Sequence, residues 1–194
     1  MKQVGATGDN YTAEDGMNFI PTKLHIFIED GKKKKVPCYL RHSGIEYPYS
    51  VWGQTEVNNH IQFLNTTKKP YNDIYYNEDC NDWIVLPNNC DTNDNIVCLD
   101  IDDKEEIQKL IDAGLPMDKL PFTLSAGKKL PHVWFRTDRP IQQINGKSRL
   151  GRDIDLVRNY VYERKSNIVY NPQDTLPTIK VEDLAKYLNI EVDT

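Results

Sequence analysis

The sequence predicts an α+β domain built on a mixed or antiparallel sheet. Three observations lead there. Short apolar runs, several with two-residue alternation, recur at 23–28, 84–86, 97–102, 120–125, 132–136, 153–157 and 168–170. Only a few stretches, near 57–64, 107–111 and 181–188, carry helical spacing. The strand candidates of the second half are joined mostly by short connections, which suits antiparallel neighbours better than the long crossovers of a parallel sheet.

Length and composition fit this class. The 194 residues suffice for one domain with a substantial core, or a domain plus a small annex, and 39% hydrophobic with 27% charged residues is a globular balance. No apolar run is long enough to span a membrane, and the start, Met1 to Gly5, lacks a signal-peptide core, so an intracellular setting is expected: cytoplasm, nucleus or a viral replication site. Cys38, Cys80, Cys90 and Cys98 form no Cys-x-x-Cys pair, which disfavours a zinc ribbon and suits reduced structural thiols. The net charge of −5 argues against a general nucleic-acid binder, but the distribution is uneven. Residues 71–120 hold three Lys/Arg against thirteen Asp/Glu, and residues 121–170 hold ten against four. An acidic segment followed by a basic one can bring metal ligands and phosphate ligands together.

In chain order, residues 1–22 read as a polar, weakly patterned tail. A strand at Lys23–Ile28 ends in the turn Glu29-Asp30-Gly31, and Lys32–Lys35 reads as a basic loop. A helix is expected around Val57–Leu64, and Ile84–Leu86 is a short buried strand. The run Val97-Cys98-Leu99-Asp100-Ile101-Asp102 then climbs from apolar residues into two carboxylates that share one face of a strand. Ile107, Leu110 and Ile111 mark the next helix, with Asp103 as N-cap, Glu106 closing a capping box and Gly114 at the C-terminal cap. Asp103 therefore caps rather than ligates. Leu120–Ser125 is a strand, Ala126–Lys129 a basic turn, and in the strand His132–Arg136 alternation sets His132, Trp134 and Arg136 on one face. Asp153–Val157 and Tyr160–Tyr162 read as a hairpin, Ile168–Tyr170 as a further strand and Val181–Leu188 as an amphipathic helix.

The chemistry concentrates in three places. Asp100 and Asp102 repel each other unless a cation lies between them, and hard oxygen ligands suit Mg²⁺ or Mn²⁺. Ser125, Lys128, Lys129 and His132 offer hydroxyl, ammonium and imidazole groups for phosphate oxygens. Asp155, with Asp153 on the same face, is a further acid. These are the parts of nucleotidyl transfer: carboxylates hold divalent ions about 4 Å apart, and cations neutralise the triphosphate.

Asp-Ile-Asp at 100–102, Leu-Ser-Ala-Gly-Lys-Lys-Leu-Pro-His at 124–132 and Asp-Ile-Asp-Leu-Val at 153–157 resemble, in order and spacing, the three motifs of the archaeo-eukaryotic primase superfamily. The nearest likeness is to primase-polymerase domains fused to superfamily 3 helicases in large DNA viruses and mobile elements. With the Gly31–Pro37 segment, Trp52 and the strand before the acidic one, it extends from residue 23 to about 170. The resemblance implies an RRM-like half and an N-terminal α/β half. Asp100, Asp102 and Asp155 would be the catalytic metal ligands, and Ser125 and His132 would contact the incoming nucleotide. Six residues separate Ser125 from His132, more than in many members, and the insertion adds Lys128 and Lys129 for phosphate contacts. The domain would span 23–180, with a C-terminal helix at 181–194 that either ends it or leads into a further region.

The expected activity is template-directed, metal-dependent DNA primase or polymerase chemistry in DNA replication, with nucleoside triphosphates, a single-stranded or primed DNA template, a superfamily 3 helicase partner and no membrane. Trp134, Tyr160 and Tyr162 are candidate base-stacking platforms. A two-metal nuclease would use the same carboxylates but leave the segment from Ser125 to His132 without a triphosphate to hold. A non-catalytic module that tethers DNA or recruits a helicase would need neither. A sugar-nucleotide transferase with an Asp-x-Asp motif lacks its nucleotide-binding half here.

Overall fold

The computed structural model describes residues 2–3, 20–21, 24–37, 83–86, 95–125, 128–144, 151–158, 161–164 and 167–194. The expected helix at 57–64, Trp52, Tyr160, the Ala126-Gly127 pair and the cysteines at 38, 80 and 90 lie outside them. In chain order the described residues form β1 (Lys2–Gln3), β2 (Ile20–Pro21), β3 (Leu24–Glu29), β4 (Lys32–Pro37), β5 (Trp83–Leu86), β6 (Ile96–Ile101) and α1 (Lys104–Asp112). A 3-10 turn at Met117–Lys119 leads to β7 (Phe122–Leu124), β8 (Pro131–Thr137), β9 (Ile154–Val157), β10 (Val161–Arg164), β11 (Ile168–Val169), β12 (Thr178–Ile179) and α2 (Val181–Leu188). The architecture is α+β.

The principal sheet runs β12-β8-β6-β9, with β7 also paired to β8. All of its pairs are antiparallel except β12 with β8, so the sheet is mixed. Its central strand, β6, alternates as the sequence requires. Val97, Leu99 and Ile101 point to one face and join Val133 and Phe135 of β8, Ile154 and Leu156 of β9, Leu110 of α1, and Leu184 and Leu188 of α2 in one core. Each such side chain is 0–1% exposed, and its burial contributes roughly 1.5–3 kcal/mol. The opposite face carries the buried Cys98 and Trp134, and then the polar residues of the site.

α1 starts and stops on local chemistry. The Asp103 carboxylate accepts the Glu105 N–H at 2.9 Å, in its expected capping role. The expected capping box does not form. Glu106 is buried and turns to Arg152 (Nε to Oε2, 2.6 Å) and Lys109 (3.3 Å), because a guanidinium is a far stronger partner for a buried carboxylate than a backbone N–H. At the other end, Leu115 N–H donates to the Leu110 carbonyl and Gly114 N–H to that of Ile111, a Schellman closure just beyond the cap residue Ala113. It needs a φ of +108° at Gly114, where a Cβ would also meet the Tyr187 ring at 3.2 Å. Gly114→Ala is therefore expected to cost at least about 1 kcal/mol, read as a lower denaturation midpoint at unchanged slope.

Four expectations are corrected. Lys32–Lys35 is not a loop but most of β4, paired residue for residue with β3. The turn between them has positive φ at both Asp30 and Gly31, the Asp-Gly hairpin geometry that matches strand twist. Asp153–Val157 and Tyr160–Tyr162 do not form a hairpin. β9 pairs with β6 on one edge and meets Ile144 through a bridge at Leu156, so β10 pairs instead with β5 in a second sheet, β10-β5-β2. The stretch read as a tail contributes β1, paired with β11, and β2, paired with β5. Trp134, a candidate stacking platform, is 2% exposed and lies in the interior. No helix among the described residues is long and apolar enough to cross a membrane.

Candidate metal and nucleotide site

One rung of the principal sheet carries most of the site. Thr123 of β7 lies opposite His132 of β8, His132 opposite Asp100 of β6, and Asp100 opposite Asp155 of β9. Residues opposed across neighbouring strands share a face and stand within side-chain reach. The register therefore lines up a hydroxyl, an imidazole and two carboxylates across four strands. Asp102 joins from just past the end of β6, held there by its N–H on the Asp153 carbonyl at 2.8 Å.

Asp100, Asp102 and Asp155 each offer an oxygen, and these lie within 4.8 Å of one another. Burial raises the Asp102 pKa, and the charges of Asp100 and Asp155 raise it further, against the opposing pull of Lys128 and His132. Carboxylate oxygens that converge in this way could hold a hard divalent cation such as Mg²⁺ or Mn²⁺.

His132 is clamped between two acids. Its Nε2 is 3.3 Å from Asp100 Oδ1 and its Nδ1 is 2.7 Å from Glu163 Oε1. Burial pulls its pKa down, but hydrogen bonds to Asp100 and Glu163, with their charges, outweigh this and push it up to about 10. The ring is an imidazolium donating from both nitrogens. Glu163, 1% exposed, also accepts from Thr123 Oγ1 at 2.7 Å and from Asn167 Nδ2 at 3.0 Å. It had no place among the sequence candidates. The only signal was its position on the strand 161–164, because its partners come from β7, β8 and the segment after β10.

A raised histidine pKa adds stability that is complete below its ordinary value of 6.5 and is lost as pH rises through the folded value of about 10. In EDTA, the wild-type melting temperature is expected to fall between pH 6.5 and 10. The advantage of wild type over His132→Asn should shrink over the same interval. A constant gap would contradict the double clamp.

The residues expected on the phosphate side divide. Lys128 is exposed, and its charge opposes the rise of the Asp102 pKa. Ser125 closes the turn between β7 and β8, its Oγ accepting the Leu130 N–H at 3.1 Å and its N–H donating to the Leu130 carbonyl at 2.8 Å. Lys129, with a φ of +55°, lines with Ser125 a separate cleft of about 310 Å³ beside Arg164, Asn167 and Tyr170. Asp153 contributes its carbonyl to Asp102 and lies just before β9.

Fold and site together define an α+β domain with a three-carboxylate cluster where β6 and β9 of its principal sheet pair. No family model, no curated protein and no solved structure matches the chain.

Proposed function

We propose that this chain is the catalytic domain of a DNA primase-polymerase, carrying out template-directed nucleotidyl transfer with Mg²⁺ or Mn²⁺. The observation that supports this most is the convergence of Asp100, Asp102 and Asp155, two residues of one motif and one of another 53 positions away, beside the His132 of the motif between them. In this reading the finer fold is a primase-polymerase core, in which β6, β8 and β9 carry the three motifs.

A divalent ion held there would activate an attacking 3′-hydroxyl and steady the triphosphate. The chain's own groups do the rest. Asp100 and Asp155 present carboxylates from adjacent strands, and Asp102 closes the set from the strand end. The His132 imidazolium and Lys128 place positive charge next to the acids, where a triphosphate arrives. Glu163 fixes the ring from behind. The proposal includes a DNA template bound through salt-sensitive phosphate contacts and a superfamily 3 helicase acting on the same DNA.

Incubation of the protein with a labelled primer-template and divalent metal, with and without nucleoside triphosphates, tests the reading. Lengthening that requires nucleotides supports it. Shortening of the primer favours a two-metal nuclease, and an unchanged primer favours a DNA-tethering module.

A further inference from the structure

We infer, on the basis of the nucleotidyl-transfer reading, that Glu163 is a positioning residue. From the second sheet it sets the angle of the His132 ring, the group that would meet the triphosphate, and Asn167 holds Glu163 in turn.

Glu163 comes from outside the sheet that carries the carboxylates. It lies on β10, opposite Ile84 of β5. Its side chain nevertheless reaches the rung that lines up Thr123, His132 and Asp100. Oε1 accepts from His132 Nδ1 at 2.7 Å and from Thr123 Oγ1 at 2.7 Å. Oε2 accepts from Asn167 Nδ2 at 3.0 Å, and the same amide nitrogen donates to the Leu124 carbonyl at 3.1 Å. With both oxygens engaged from three separate segments, the carboxylate is held in one orientation.

The distances decide which acid holds the ring. The 2.7 Å bond to Glu163 is short and charge-assisted, whereas the 3.3 Å approach to Asp100 is at the long end of hydrogen bonding. A histidine ring turns readily about its last side-chain torsion, so the stronger bond fixes its angle and the weaker one can yield to a ligand. Exposure is graded in the same order. The side chains of Glu163, His132 and Asp100 are 1%, 13% and 32% exposed, from a buried anchor to the solvated face. Fold stability alone does not account for the anchor. A well-packed apolar side chain at so buried a place would stabilise as well or better, because a buried ion pair does little more than offset its own desolvation. What the carboxylate adds is a ring already ordered before any ligand arrives.

The test combines proton NMR with kinetics on the full chain, using a primed DNA template, Mn²⁺ and varied nucleoside triphosphate. In wild type the His132 Nδ1 proton is expected as a downfield, slowly exchanging resonance, absent from His132→Asn and shifted or lost in Glu163→Gln. Glu163→Gln is expected to raise the nucleotide KM by at least about fivefold with kcat within about twofold, the pattern of lost binding. Asn167→Ala, which loosens only Oε2, is expected to raise KM in the same direction by less. In His132→Asn, where no ring remains to be held, adding Glu163→Gln is expected to change KM by less than about twofold. Circular dichroism and melting show whether each variant folds, and if Glu163→Gln does not, Asn167→Ala carries the same comparison alone and in His132→Asn. A wild-type resonance that Glu163→Gln leaves in place, an unchanged KM in the folded variant, or an effect as large in His132→Asn as in wild type would overturn the inference and leave the nucleotidyl-transfer reading standing. No incorporation by wild type would overturn both.

Discussion

Asp155→Ala is expected to reduce nucleotide incorporation by at least about a hundredfold, because it removes one of the three oxygens that define the cluster. The fold is expected to survive. The residues on either side, Ile154 and Leu156, are 1% and 0% exposed and keep β9 packed, while Asp155 itself faces the half-solvated side of the sheet. Loss of a carboxylate from a group of like charges also relieves repulsion, most directly at Asp102, whose pKa burial raises first and these neighbours raise further. Apo stability should therefore change by less than about 1 kcal/mol. Asp155 is a cleaner choice than Asp100, whose removal would also take away one of the two carboxylates that clamp the His132 ring. Incorporation at the wild-type rate by a folded Asp155→Ala protein would remove Asp155 from the site.

Arg152→Ala is expected to be strongly destabilising although it lies away from the site. Its guanidinium pairs with Glu106 at 2.6 Å and donates to the Leu188 carbonyl at 3.4 Å, tying the lead-in to β9 to both helices. Without it, the 8%-exposed Glu106 side chain keeps only Lys109, which is 61% exposed. Leaving a buried carboxylate so poorly paired costs about 3 kcal/mol, and slightly less where the partner keeps some solvent. In a chain of this length the melting temperature falls by roughly 6–10 °C. Replacing both partners, Glu106→Leu with Arg152→Leu, should recover most of the loss, because no buried charge remains. A double variant as unstable as Arg152→Ala would show that the pair matters through its shape and not its charge.

What the sequence made legible was local. The alternation in 96–101 and 131–137, the Asp103 cap and the spacing of α1 and α2 are all written within a few residues, and the structure follows them. So are the polar steps of Asp100 and His132 within their own apolar strands, while the register that sets the two opposite each other came only with the structure. Partners distant in sequence were not legible. Strand β10 pairs with β5 because Ile144 already occupies the free edge of β9, and nothing in 153–162 announces this. Glu106 leaves its capping box for an arginine 46 residues away. Glu163 becomes a buried anchor only through Thr123, His132 and Asn167, three partners on separate segments. β12 is two residues long after Pro177, too short for a periodic signal.

The most direct test is one titration of Mn²⁺ into the full chain with a primed DNA template and nucleoside triphosphates, in which bound Mn²⁺ and incorporated nucleotide are measured in the same samples. The expected result is that the two curves rise together in the wild-type protein and that both collapse in Asp100→Asn and Asp155→Asn. Incorporation that persists in either variant, or Mn²⁺ uptake that neither changes, would contradict a nucleotidyl-transfer centre at Asp100, Asp102 and Asp155.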